Sequence, residues 1–277
     1  MTRALVGLFG CRLPLSRCVS IVLASYSLSL IGGGQATYTT AAFRWLRSNG
    51  VPGEAALATG VIPALINVLT MAGVSMFGLT YLLVVHKLSF ALVLVFALAL
   101  LLLLVMSLLL WWGVSDRQGV VAVSKQVDRL LALIHRRPND PGPAEAIAER
   151  VFRAWSLLVR GGWRGPVLGD ALNVGFDILT LYLLFVAAHY VVSPGVVLAG
   201  YGLPLLAGKL SVFPGGLGIV EGGMVALYES LGVPSAVAVV VILSYRLLSF
   251  WIPVLLGLSL IPLLGREAAS QIGRAHV

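Results

Sequence analysis

Residues 88–112 contain no charged side chain, and this uninterrupted apolar run restricts the possible folds more than any other feature. About 20 helical residues are enough to cross a hydrocarbon layer roughly 30 Å thick. Residues 171–192, 196–206 and 235–264 are similarly apolar. Because 59% of the chain is hydrophobic and only 11% is charged, an ordinary soluble domain is excluded. The sequence predicts a membrane protein with several spans.

The apolar segments are predicted to be helices, because a segment in lipid must pair its own backbone N–H and C=O groups. No segment alternates as a barrel strand does. We therefore predict an all-α integral membrane protein, one membrane domain over residues 1–277, with about six to eight transmembrane helices. Residues 55–85 leave the number open, since they suit either one tilted helix or two shorter pieces. The two choices place the chain before residue 55 in opposite orientations across the membrane.

Residues 116–164 form the one extended polar region, with nine Lys/Arg against five Asp/Glu. Two amphipathic helices, about 117–136 and 144–160, are predicted to lie along the membrane surface on either side of the breaker RRPNDPGP. Basic connections stay in the cytoplasm, beside anionic lipid. The net charge of +8 therefore indicates topology, and we predict a cytoplasmic connection and no nucleic-acid partner.

An internal repeat is predicted by a shift of 182 residues. It places Gly50-Val51-Pro52 on Gly232-Val233-Pro234 and Gly33-Gly34 on Gly215-Gly216. These matches fall at a break and a turn, where backbone geometry limits residue choice. We predict that the repeat covers about residues 20–67 and 202–249.

Each predicted half consists of a helix, a glycine-rich break, a short helix, a turn and a longer apolar helix. The short helices, about residues 37–47 and 219–231, would be about 17–20 Å long, which is too short to cross a membrane. We predict two broken, re-entrant helical hairpins. Because irregular backbone at membrane depth must be buried by protein or reached by water, the breaks also predict a polar cavity.

Glu221 and Arg246 are charges within apolar sequence on either side of the turn at Val233. Positions equidistant from the turn of a helical hairpin lie at similar depth, so the two side chains are predicted to meet. Intramembrane charges are expensive and pair inside the bundle. Two alternatives stay open: the pair only holds the hairpin together, or Glu221 only favours the positive end of its helix.

The break FPGGLG, residues 213–218, predicts an anion site, because a helix start presents free backbone N–H groups. Two cations accompany it in the sequence, Lys209 just before the break and Arg246 across the predicted hairpin. Together they are predicted to hold a phosphate at the mouth of the cavity. The candidate lipid- or anion-binding residues are Lys209, Gly215, Gly216, Gly218, Glu221 and Arg246.

Asp170, Asn173 and Asp177 recur at helical spacing within an apolar segment. Because two carboxylates facing lipid are implausible, we predict that this stripe lines the cavity. For Asp170, a position at the membrane surface is the alternative. Gln35 and Thr39 occupy the first break and complete the predicted lining, with Thr39 at the position that the 182-residue shift pairs with Glu221.

No catalytic or metal-binding pattern is recognisable. Cys11 and Cys18 lack metal-ligand spacing, and the four His are scattered. The sequence contains no hydrolytic triad, Walker loop or paired-carboxylate arrangement. We therefore predict no metal, no cofactor and no enzymatic activity.

The second half, LSVFPGGLGIVEGGMVALYESLGVPSAVAVVVILSYRLLSFWIPVLLG, resembles the C-terminal signature of the lysylphosphatidylglycerol synthase transmembrane (flippase-like) family. GGGQATYTTAAFRWLRSNGVPGEA is similar to its N-terminal signature, without the carboxylate that many relatives carry near Thr39. The resemblance covers about residues 16–265. By motif it carries over Pro214, Gly215, Gly216, Gly218, Glu221, Gly222, Arg246 and Pro253.

The resemblance implies a multi-pass protein of the bacterial inner membrane that moves lipids or lipid-linked head groups between leaflets. It implies membrane lipids as partners, of the anionic phospholipid or polyprenyl-phosphate type. Lysyl transfer is not expected, because no aminoacyl-transferase domain follows Arg266, and the short N-terminus suggests a missing helix or a misplaced start.

Flippase-like translocation through a polar cavity is thus the predicted function. The main alternative is an accessory protein that docks or regulates a lipid-modifying or glycosyltransferase partner in the membrane. A weaker one is an integral membrane enzyme acting on a lipid phosphate.

Overall fold

The computed structural model describes residues 1–32, 34–85, 162–210 and 213–274, together with single positions between 94 and 108 and Ser156. Regular structure within these residues is entirely helical. We number the described helices α1 (Thr2–Leu8), α2 (Leu15–Gly32), α3 (Gln35–Ser48), α4 (Gly53–Val85), α5 (Arg164–Ala187), α6 (Pro194–Leu210), α7 (Ile219–Ser230), α8 (Ser235–Arg246) and α9 (Ile252–Arg274).

Four stretches of the described part are long and apolar enough to cross a membrane: Leu15–Gly32, Gly53–Gly78, Arg164–Ala187 and Ser235–Arg266. The last of these contains α8, a π-helical turn and α9 in succession. The chain is therefore an all-helical, multi-pass membrane protein, as the composition predicts. The apolar run at 88–112 lies almost entirely outside the described residues, so the predicted total of six to eight spans stays a prediction.

The short helices α3 and α7 end in the same kind of turn. After α3, Gly50 has φ +78° and the N–H of Val51 donates to the carbonyl of Leu46 at 3.1 Å. After α7, Gly232 has φ +88° and the N–H of Val233 donates to Tyr228 at 3.0 Å. Each is a Schellman cap, in which a glycine adopts the left-handed conformation that side chains disfavour.

Small residues allow α4 and α6 to pack backbone against backbone. A methyl group added at Gly78 would collide with the backbone of Ala199, and one at Gly202 would collide with Ser75. Glycine, alanine and serine are the residues that permit such close approach between membrane helices. This contact places α6 between α4 on one side and α7 on the other.

The two faces of α5 differ in chemistry. One face is exposed and apolar, and carries Leu168, Leu172, Phe176, Leu179 and Leu183. The opposite face carries the buried residues Asp170, Val174, Leu181 and Phe185, with Asp177 on the same side. Because lipid tails favour the apolar face, the helix turns both of its carboxylates toward the other helices.

Two apolar cores meet along α4. The first half of α4, with Ala55 and Ala56, packs in a cluster with α1, α2, α3 and the end of α9. The second half, with Met71 and Ala72, packs in a larger cluster with α5, α6, α7 and α8. The long helix is thus shared by the two groups of broken helices.

The structure decides some of the more detailed predictions and leaves others as predictions. Residues 55–85 form one helix, α4, with Pro63 inside it, rather than two pieces. The predicted cytoplasmic connection at 116–164 lies outside the described residues apart from Ser156 and residues 162–164. Neither region 28–52 nor region 210–234 is one continuous helix. The repeat over 20–67 and 202–249, and the re-entrant placement of α3 and α7, stay predictions.

Candidate functional site at the second glycine break

The second glycine break, residues 213–218 before α7, requires glycine at several positions. Gly215, Gly216 and Gly218 have φ of +66°, +67° and +81°, which is the left-handed region. A methyl group at Gly216 would also lie 2.8 Å from the Cα atom of Gly208 on α6. The break therefore packs against the helix that precedes it, in a conformation that other residues would strain.

Glu221 joins the break to α8. Its Oε2 accepts a hydrogen bond from the N–H of Gly218 at 2.7 Å, which closes the start of α7 as a capping glutamate does. Its Oε1 accepts a hydrogen bond from Nε of Arg246 at 2.5 Å. The predicted contact across the hairpin is thus confirmed, and the carboxylate occupies the positive end of α7.

Arg246 is buried, with its side chain 6% exposed. Besides Glu221, it donates from Nη2 to the carbonyl of Gly215 at 3.1 Å. Its guanidinium carbon lies 4.2 Å from the centre of the Phe250 ring, which is a cation–π distance. A guanidinium has five N–H donors, and among the described residues only two of them have acceptors. Nη1 donates to none of these residues.

Phe250 is positioned by a π-helical turn, Leu247–Trp251, that directly follows Arg246. Such turns occur often at functional sites, because they change which side chains a helix presents. The ring fits against Gly215, where an added methyl group would lie 2.5 Å from ring atoms. Tyr26 of α2 packs edge-on against the same ring, with centroids 6.2 Å apart. The aromatic ring thus touches both the break and the arginine.

Asp177 lies in a second polar cluster beside this pair. Its Oδ2 accepts hydrogen bonds from the hydroxyl groups of Tyr201 at 2.8 Å and Tyr245 at 2.7 Å. Arg246, which follows Tyr245 in the chain, is close enough for its charge to act on Asp177. The cluster joins α5, α6 and α8 through one carboxylate.

Asp170 belongs to a third polar group, in which an amide bridges two charges. Nδ2 of Asn67 donates to Oδ1 of Asp170 at 2.9 Å, and Nζ of Lys209 donates to Oδ1 of Asn67 at 2.7 Å. Asp170 is 3% exposed, and its Oδ2 has no partner among the described residues. The group connects α4, α5 and α6.

The first break, at Gly34 before α3, is closed by neutral groups. Nε2 of Gln35 donates to the carbonyl of Gly60 at 2.9 Å. Gly60 lies three residues before Pro63, which removes one backbone donor from α4. Thr39 packs directly against Gly60, where an added methyl group would collide with it.

The structure brings together only part of the predicted site. Glu221, Arg246 and the glycines of the break are in contact, whereas Lys209 hydrogen-bonds to Asn67 rather than to any of them. Asn173 is exposed, while Asp170 is buried. Gln35 and Thr39 lie at the first break and contact Gly60 of α4.

Sequence reasoning missed the residues that complete these clusters, which are Tyr26, Asn67, Tyr201, Tyr245 and Phe250. The tyrosines did carry a signal, because a hydroxyl within an apolar helix needs a partner. Tyr245 also stands next to Arg246. Within the described ranges, no three His, Cys, Asp or Glu side chains cluster as a metal site would require.

Broken helices that bury an ion pair define a polytopic membrane protein with a polar interior. The model of the lysylphosphatidylglycerol synthase transmembrane region matches residues 1–257. The chain belongs to this family, as the two signatures predict.

Similar curated proteins are UPF0104 membrane proteins of archaea. That of Methanocaldococcus jannaschii is 34% identical over 122 residues, 44% of this chain and 34% of the relative. That of Pyrococcus horikoshii is 41% identical over 83 residues, 30% of this chain and 25% of the relative. The chain thus matches about a quarter to a third of the length of these relatives. No solved structure matches.

Proposed function

We propose that this protein moves an anionic lipid, or a lipid-linked head group, between membrane leaflets, and that Arg246 holds the negative group. The phosphate of an anionic phospholipid or a polyprenyl phosphate has the chemistry that a guanidinium recognises. The family membership supports a role in the membrane that concerns lipids. Transport is our extension of it.

The observation that carries the proposal is a buried guanidinium whose donors are only partly used. Glu221 and the Gly215 carbonyl fix Nε and Nη2, so the plane of the side chain is set. Nη1 keeps its donors free of the described residues, and it projects from a group that is 94% buried. A rigid, partly unsatisfied arginine beside a broken helix is suited to bind and release an anion.

An accessory role explains this arrangement less well. A protein that only docks an enzyme needs an outer surface, and a buried charge pair is weak evidence for stability because desolvation offsets the attraction. For the same reason, a staple made of Glu221 and Arg246 would be replaceable by apolar packing. We propose no catalytic activity and no cofactor, since the site supplies recognition rather than a nucleophile with its base.

Lipid movement in reconstituted vesicles tests the proposal. The vesicles contain phosphatidylcholine, phosphatidylglycerol and a trace of fluorescent phosphatidylglycerol, whose outer-leaflet fraction is quenched by dithionite. The double variant Glu221→Gln with Arg246→Gln removes both charges at similar size. We expect it to fold, because no charge is left uncompensated, and to lose at least tenfold in the rate of lipid movement.

Arg44→Gln provides a matched control, since Arg44 is an exposed arginine on α3 and its loss removes one positive charge outside the site. We expect its rate to equal that of the unchanged protein. If the double variant is stable and moves lipid at the original rate, the pair is a staple and the proposal is wrong. A second probe, a fluorescent polyprenyl phosphate, separates the two lipid classes.

The proposed location is the cell membrane, a bacterial inner membrane, with residues 116–164 in the cytoplasm. A cysteine introduced at Asn139, in a background without Cys11 and Cys18, should resist a membrane-impermeant thiol reagent in intact cells. It should react once the cells are permeabilised. Rapid labelling of intact cells would invert the topology.

A further inference from the structure

The hydrogen bonds of Asp177 leave one of its oxygens available. Tyr201 of α6 and Tyr245 of α8 both donate to Oδ2. No described residue donates to Oδ1. A proton can therefore bind at Oδ1 without breaking either tyrosine contact. Carboxylates at membrane depth that face the bundle interior are typical of proton-carrying sites.

Among the described residues, one cation lies close enough to Asp177 to act on it. Arg246 acts on it through space from α8, the helix that also supplies Tyr245. Tyr26 of α2 is within range of both charges. Through Arg246, Glu221 of α7 is the other ionisable group next to this cluster.

The other described polar contacts of α5 involve its second carboxylate, Asp170. From α4, Asn67 binds Asp170, and from α6, Lys209 binds Asn67. The N-terminal end of α1 packs at Gly169, beside Asp170. Asp177 is thus separate from the Lys209 group, and the described groups that favour its charged form are the hydroxyls of Tyr201 and Tyr245 and, through space, Arg246.

We propose that proton binding at Asp177 is thermodynamically coupled to anion binding at Arg246, so that each favours the other. This inference rests on the anion site proposed above. When Arg246 is free, its positive charge stabilises the Asp177 carboxylate. When a phosphate compensates that charge, Asp177 loses part of the attraction of the one described cation near it, and a proton binds to it more readily. By linkage, protonation of Asp177 strengthens anion binding by the same factor.

The coupling gives transport a direction. One proton and one singly charged lipid then enter the site together, and their charges cancel. Both leave on the side where the proton concentration is lower. A gradient of one pH unit is worth about 1.4 kcal/mol, a tenfold ratio in concentration. Glu221 stays paired with Arg246 throughout.

The first test measures proton binding and needs no transport. Infrared difference spectra record the carboxylic-acid C=O stretch of the protein in nanodiscs between low and high pH. The nanodiscs contain phosphatidylcholine alone, phosphatidylcholine with phosphatidylglycerol, or phosphatidylcholine with inorganic phosphate in the buffer. We expect one titrating band that is absent in Asp177→Asn. When phosphatidylglycerol is added, its midpoint should rise by about one pH unit, a tenfold coupling, beyond the shift that the lower surface pH causes.

The double variant Glu221→Gln with Arg246→Gln is the necessary control. Anionic lipid also lowers the surface pH, which moves every titration to the same extent. The variant keeps that general effect and lacks the anion site. We therefore expect the midpoint of its Asp177 band to rise by about one pH unit less than that of the unchanged protein. Equal movement in both proteins, or the absence of the Asp177 band, would overturn the coupling.

The second test distinguishes this inference from the proposed function. In vesicles with an imposed pH gradient and a clamped membrane potential, trace fluorescent phosphatidylglycerol should approach a tenfold leaflet ratio per pH unit. Movement that ends at equal leaflet concentrations overturns the coupling and leaves transport intact. A midpoint shift without lipid movement overturns transport and leaves the coupling intact. A shift caused by inorganic phosphate alone assigns a soluble anion instead of a lipid.

Discussion

The first and second glycine breaks solve the same backbone problem with different chemistry. Both interrupt a helix, both are followed by a short helix, and both short helices end in a Schellman cap. At the first break, the amide of Gln35 and the side chain of Thr39 contact Gly60. At the second, Glu221 and Arg246 hold Gly215 and Gly218. An uncharged break is therefore possible in this protein.

The difference teaches that the ion pair is not needed to make a break. Buried charges carry a desolvation cost that neutral hydrogen bonds avoid. A chain that closes one break with an amide could close the other in the same way. The charges at the second break are better explained by an interaction with a charged group, which is the basis of the transport proposal.

Removing one member of the Glu221–Arg246 pair should cause the largest loss of unfolding free energy. Arg246→Gln leaves the partly buried Glu221 carboxylate, 19% exposed, without its cation, which costs up to about 3–5 kcal/mol of unfolding free energy. Urea unfolding in detergent, followed by circular dichroism, measures this loss. The double variant with Glu221→Gln should regain most of it. A single variant as stable as the original protein would show that water already solvates the carboxylate.

Gly215→Ala should cause the next largest loss of unfolding free energy. Gly34→Ala is the corresponding change at the first break. Gly215 has φ +66° and ψ +10°, the left-handed helical conformation, in which alanine is strained by about 1–2 kcal/mol. Gly34 has φ +82° and ψ −143°, a conformation that only glycine adopts readily and that costs other residues about 1–3 kcal/mol. Only at Gly215 would the methyl group meet a ring, that of Phe250, whereas nothing lies within 4 Å at Gly34. Overpacking adds about 1–3 kcal/mol.

The same urea titrations compare these two glycine variants directly. Adding Phe250→Leu to Gly215→Ala should relieve the overpacking but not the strain of the backbone. If Phe250→Leu recovers none of the loss caused by Gly215→Ala, Phe250 moves aside freely, and its assigned role beneath Arg246 is weakened.

Gln35→Ala should have the smallest effect. The variant loses one neutral hydrogen bond to the Gly60 carbonyl, worth about 0.5–1.5 kcal/mol. Thr40→Ala serves as a control on the same helix, since Thr40 is exposed and bonds only within α3. Lipid movement should be unchanged in the control. A loss of stability at Gln35 as large as that at Arg246 would remove the contrast between the breaks.

The overall architecture could be predicted because backbone physics limits it strongly. Apolar runs must be helices in lipid, and left-handed turns favour glycine at Gly50 and Gly232. The contact between Glu221 and Arg246 followed from their equal distance from the turn at Val233. Each of these predictions depends on local sequence and on one simple geometric rule.

The wider site could not be predicted, because its contacts join residues far apart in the chain. Lys209 precedes the second break, yet it bonds to Asn67, 142 positions away in sequence. The rotation of α4 and α6 about their own axes decides this partner, and small residues such as Gly78 and Ala199 set that rotation. Tyr201 and Tyr245 reach Asp177 for the same reason.

The backbone contact between α4 and α6 has a consequence for how the molecule can move. Gly78 and Gly202 leave no space for either helix to slide or turn against the other. We therefore expect the two helices to move together as one rigid unit. Under the transport proposed above, a motion that exposes the site to each side of the membrane in turn would move α4 and α6 together.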